Sequence, residues 1–101
     1  MKLFAPIAVL GLLAVAGTAQ AADPNLARNL AATCANCHGT NGQALAGSGI
    51  DALAGVDKAK ILQKLADFKS GVKPASIMHQ ISKGYTDEQL DLIAAYYAAQ
   101  K

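Results

Sequence analysis

Cys34-Ala35-Asn36-Cys37-His38 is the stretch whose reading decides the fold. Two cysteines stand three positions apart, followed at once by one of only two histidines in the 101-residue chain. On a helical turn, positions i and i+3 share a face. Both sulfurs therefore leave the chain on the same side, with the imidazole beside them. A disulfide exchanger, a zinc knuckle and a covalently held haem all use this kind of grouping, and the surrounding sequence has to choose among them.

The N-terminal residues bear on the compartment. Lys2 is followed by an uncharged apolar run from Leu3 to Gly17, then by small residues in Ala19-Gln20-Ala21 and polar ones in Asp23-Pro24-Asn25. That order predicts a signal peptide over residues 1–21, cleaved after Ala21, and export to the periplasm of a domain spanning residues 22–101. The rival is a retained membrane anchor, because the uncharged run approaches the roughly 17 residues that just span a bilayer. A domain of about 80 residues sits near the size at which a hydrophobic core alone gives only a few kcal/mol and an added staple is usual. Two cysteines form at most one disulfide, and without the leader the aromatics reduce to Phe68, Tyr85, Tyr96 and Tyr97. A large flat cofactor inside the domain meets both shortages. With Lys2 removed, eight basic and seven acidic side chains remain, so there is no nucleic-acid footprint and no expectation of a nucleic-acid partner.

Helical periodicity appears in three segments, and no segment alternates as a strand. The first covers about Asn25 to Cys34, with Pro24 just inside its start. A glycine-rich stretch from Gly39 to Gly55 reads as a long loop, and loops of that length in so small a domain usually wrap a functional group. The second helix runs from Asp57 as N-cap to Ser70, with Gly71 as its stop. Ile61, Leu62, Leu65 and Phe68 form its apolar stripe. A short turn of helix is expected around Ile77 to Ser82. The last helix opens with Thr86-Asp87-Glu88-Gln89, the form of a capping box, and continues with Leu90, Ile93, Ala94 and Tyr97 facing the core.

An all-α frame separates the three chemistries. Disulfide exchangers place C-x-x-C at a strand-to-helix junction, and this chain offers no strands. Closed zinc sites need four ligands, but beyond the motif only His79 remains as a nitrogen donor. C-x-x-C-H is the signature of covalent haem attachment: Cys34 and Cys37 reach the two vinyl groups of one porphyrin and His38 meets the iron. A second axial ligand is open between Met78 and His79, and a third arrangement leaves that position vacant.

Residues from about Asn25 to Gln100 resemble a class I cytochrome c. The likeness rests on Cys34, Cys37 and His38, on Leu53-Ala54-Gly55 after the glycine loop, on the single downstream Met78, and on Leu92-Ile93-Ala94-Ala95-Tyr96-Tyr97. The resemblance implies three to four helices around one covalently attached haem c, with first and last helices crossing at Ala27, Ala31 and Ala94. It also implies His38 and Met78 as axial iron ligands, and a carrier of single electrons rather than an enzyme. The alternative is a sensor or enzyme with an open or bis-histidine site.

A narrower likeness lies in Phe68-Lys69-Ser70-Gly71 and in the run from Ile77 through Met78 and Lys83-Gly84 to Tyr85. These stretches are similar to the cytochrome subunits of flavocytochrome c sulfide dehydrogenases, which implies docking on a flavoprotein that oxidises sulfide; the leader reading, separately, predicts no membrane span after cleavage. This chain departs from that group in having a single attachment motif where many members have two haem domains. Asp51-Ala52 also stands where the family often has proline before Leu-Ala-Gly. The carbonyl that should orient His38 through its other nitrogen therefore has no assignment from sequence.

Ile50, Leu53, Ile61, Leu65, Phe68, Ile77, Ile81 and Ile93 are the candidates for the apolar pocket. Between Lys58 and Lys83 there are six lysines and one acid, Asp67. Such a face either steers an acidic partner or is simply solvated.

Overall fold

Among the described residues there are four helices and one 3-10 turn: α1, Leu26–His38; the turn, Thr40–Gly42; α2, Lys58–Ser70; α3, Met78–Lys83; and α4, Asp87–Ala98. The computed structural model describes residues 23–101 and Gly11. The expected leader and its cleavage point after Ala21 lie otherwise outside the described residues. Among those described there is no strand, and no helix is long and apolar enough to cross a membrane.

Local chemistry sets most helix ends. Asp57 accepts the Ala59 N–H at 3.3 Å and Gly71, left-handed at φ 83°, closes α2. Thr86 Oγ1 accepts the Gln89 N–H at 3.1 Å while Gln89 Oε1 accepts the Thr86 N–H at 3.0 Å. This reciprocal pair satisfies two donors that α4 would otherwise leave bare, and a cap of this kind is worth about 1 kcal/mol.

Two expectations are corrected. Helix α1 does not stop near Cys34 but runs to His38, because nothing breaks it until Gly39 turns away at φ 87°. The whole C-x-x-C-H motif thus rides on the final turns of one continuous helix. Pro24 precedes α1 rather than starting it; Asn25 is the N-cap residue, its own N–H bonded to Asp23 Oδ1 at 2.8 Å. Met78 opens α3 within the stretch where a short turn of helix is expected, since the Ile77 carbonyl accepts from both Gln80 and Ile81 and so starts a helical turn there.

The core is made by Ala31, Ile61, Leu90, Ile93, Ala94 and Tyr97. Helix α4 is its spine, packing on α1 at one side and on α2 at the other, with α3 also seated on α2. Ala31 and Ala94 are 1% and 0% exposed; side chains this small let α1 and α4 approach closely. Tyr97 completes the contact by donating its hydroxyl to the Ala31 carbonyl at 2.5 Å. The glycine loop is stitched to the same place. The Gly42 carbonyl accepts from Leu53 and Ala54 at 2.8 and 3.1 Å, and Gly55 N–H reaches the Tyr97 carbonyl at 3.0 Å.

Candidate cofactor and metal site

Cys34 and Cys37 are both free thiols, the first half-buried and the second exposed. Cys34 packs against the core, as Leu30, Leu53 and Leu65 also do. Burial pushes its thiol above the ordinary value, with the neighbouring Cys37 adding to the rise. A disulfide exchanger needs the opposite, a thiolate made available by a depressed pKa. Among the described residues no three His, Cys, Asp or Glu side chains converge on a common metal position.

His38 closes α1, and its Nδ1 lies 2.6 Å from the Asp51 carbonyl. A carbonyl can only accept, so Nδ1 carries the proton and the bare Nε2 is the nitrogen left to bind a metal. This is the contact that sequence left unassigned. The Asp51 side chain meanwhile reaches Lys64 on α2 at 3.6 Å, which ties the loop to that helix. Both ends of this ion pair are well exposed, and such pairs contribute at most about 1 kcal/mol.

Met78 is half-buried at the first position of α3. His79 follows it, also half-buried. Its Nδ1 is buried and has no hydrogen-bond partner. The predicted pocket residues divide. Ile61 and Ile93 belong to the core itself, while Leu53 and Leu65 are half-buried against it. Phe68 and Ile81 are half-buried. Ile50 and Ile77 are 39% and 56% exposed. A groove of about 550 Å³ between α2 and α4 has Leu62, Leu65 and Leu90 in its wall, and none of Cys34, Cys37, His38 or Met78 lines it.

The donor set fits a haem. Two thiols stand on one face of a helix end, an imidazole beside them has its far nitrogen free, and Cys34 packs against the largely aliphatic core. Sequence reasoning missed Tyr97 as a neighbour of Cys34: burial first, then the charge that Cys34 would carry, drives the Tyr97 phenol well above its ordinary range. It also missed how the lysines pair. Lys58 meets Asp91 at 2.9 Å, Lys64 meets Asp51, and Lys69 meets Asp87 at 3.3 Å. Half of the six lysines are thereby neutralised, so the row is not one positive face.

Comparison with known proteins agrees with this geometry. The family model described as cytochrome c matches residues 25–99. The chain is 35% identical over 96 residues to the thiosulfate dehydrogenase electron acceptor of Stutzerimonas stutzeri, covering 89% of this chain and 44% of that protein. It is 40% identical over 68 residues to the cytochrome subunit of sulfide dehydrogenase of Chlorobaculum tepidum, covering 67% of this chain and 60% of that one. Cytochrome c-553 of Helicobacter pylori is 34% identical over 95 residues, 94% of this chain and 96% of its own length. The chain spans about half the length of the first two relatives.

Proposed function

The chain belongs to the cytochrome c family, whose prosthetic group is covalently attached haem c, and on that premise we propose that it carries single electrons between redox proteins. The observation that carries this reading is the C-x-x-C-H motif on the end of α1 with the His38 Nδ1 proton held by the Asp51 carbonyl at 2.6 Å. Cys34 and Cys37 would tether one haem through thioether bonds, and Nε2 of His38 would bind its iron. Met78 would supply the second iron ligand through its thioether sulfur. Haem c, once bound, supplies a one-electron ferric/ferrous couple, and histidine–methionine ligation raises its potential. The protein's own work is to hold these ligands still. The Asp51 carbonyl fixes the ring of His38, and α1 fixes the spacing of the tethers.

The partner in this proposal is a sulfur-oxidising dehydrogenase, with this chain accepting its electrons as the cytochrome subunit of a flavoprotein that oxidises sulfide. Support comes from the Phe68–Gly71 and Ile77–Tyr85 stretches and from relatives named for sulfide and thiosulfate dehydrogenases. The working compartment is the periplasm, reached by cleavage after Ala21, so that the domain in action is 22–101.

Absorption spectra of the purified protein test the ligands. Met78→Ala is expected to abolish the sulfur-to-ferric charge-transfer band, and His79→Ala to keep it. The reverse pattern makes His79 the ligand and the site bis-histidine. Copurification with a flavin-containing protein tests the partner, and Ala22 as the first residue of the secreted chain tests the leader.

A further inference from the structure

We propose that the cleft between the end of α2 and α3 binds a small oxyanion carrying two negative charges, of the sulfate or phosphate type, between Lys73 and Lys83. The cleft is an open one of about 290 Å³, and its lining includes Lys73, Lys83 and His79 but no acidic side chain. That volume lies at the low end for ligand pockets, enough for a tetrahedral ion with its water and too little for a nucleotide.

Charge on this side of the domain is unevenly neutralised. Lys58, Lys64 and Lys69 each meet a carboxylate. Among the described residues neither Lys73 nor Lys83 makes an ion pair, and it is these two that share the cleft. Lys73 is steadied there by the Phe68 face, its Nζ 5.2 Å from the ring centroid, so part of the ordering cost of a binding lysine is already met. The nearest acid on α2, Asp67, is engaged by Gln63 at 3.0 Å. His79 adds a second observation. Its Nδ1 is buried without a partner, and a buried polar atom left unpaired needs an explanation such as a ligand or ordered water.

An anion held here stands beside the segment that begins α3 with Met78. Negative charge at that place favours the more positive, oxidised form of the protein, so binding lowers the reduction potential. Reduction by a partner and anion release are then coupled in one direction and by equal free energies.

The test is a titration of the isotope-labelled, haem-bearing protein with sodium sulfate, and separately with sodium phosphate, at constant ionic strength kept with sodium chloride. Expected are saturable amide shifts confined to residues 70–83, an affinity about fivefold weaker for Lys73→Gln and again for Lys83→Gln, and no change for Lys60→Gln. The potential should fall as anion is added and level off once both redox states are saturated. Shifts that rise linearly, that chloride reproduces, or that Lys60→Gln weakens as much as Lys73→Gln overturn the proposal. Because amide shifts report binding without the haem, this outcome is separable from the ligand assignment above.

Discussion

Gly42→Ala should destabilise the domain far more than Gly47→Ala, although both glycines sit at φ 78°. A left-handed conformation costs a residue with a Cβ roughly 1–2 kcal/mol, and alanine recovers about 0.4–1 kcal/mol by restricting the unfolded chain. Gly47 has nothing within 4 Å of an added Cβ, so its substitution pays only that difference, about 1 kcal/mol or less. At Gly42 the new carbon would stand 2.7 Å from the Ala54 nitrogen, 2.7 Å from Tyr97 Cδ1 and 3.0 Å from Leu53 Cβ. Carbon contacts are comfortable at about 3.5–4.0 Å, so something must move. None of these neighbours is loose. The Ala54 N–H is bonded to Gly42 itself, and the Tyr97 ring is pinned by its hydroxyl to Ala31 and by its carbonyl to Gly55. Overpacking of this kind adds about 1–3 kcal/mol, making the total about 1–4 kcal/mol. At about 4–8 °C per kcal/mol for a domain this small, Gly42→Ala melts some tens of degrees lower at the extreme. Urea unfolding of the haem-bearing variants, followed by far-ultraviolet circular dichroism, is the assay. Equal midpoints for the two variants would refute the claim that the 42–54 crossing under Tyr97 is closed to a side chain.

Three further outcomes are expected. Tyr97→Phe deletes one buried hydrogen bond and should cost about 1 kcal/mol at neutral pH. Because burial raises the folded phenol above its ordinary value of 10.0, the native state prefers the protonated form. The resulting stability is fully present below about pH 10 and is lost as pH rises through the folded value, so melts of wild type and Tyr97→Phe should converge at high pH; parallel curves would count against a buried Tyr97 proton. Single Cys34→Ser and Cys37→Ser variants should each keep haem through one thioether after acidic acetone extraction, while the double variant should show the mass of the bare polypeptide. Lys69→Met removes the clasp from α2 to the Tyr85 carbonyl, 3.2 Å, and to Asp87. It should cost about 1 kcal/mol by thermal melting, and Asp87→Asn less, since Asp87 is 95% exposed.

What the sequence determined by itself is what short stretches of chain settle among themselves. Asp57 caps α2 two residues on, Thr86 and Gln89 cap α4 across three, and Gly71 stops a helix because a left-handed residue follows its last turn. The C-x-x-C-H motif is legible for the same reason: its chemistry lies in side-chain types at fixed spacing. Even there the local reading was short by four residues, since nothing in Ala35 to His38 marks where a helix continues and only Gly39 ends it. What the tertiary structure alone decided involves partners far apart in the chain, or atoms that every residue has. The carbonyl that orients His38 comes from Asp51, thirteen positions away, and a backbone oxygen leaves no trace in residue identity. Tyr97 reaches Ala31 across 66 positions. Whether a lysine is neutralised by Asp51, Asp87 or Asp91, or stands unpaired in the cleft with His79, depends on how α2, α3 and α4 are laid against one another. Charge along the sequence counts these groups; only packing pairs them.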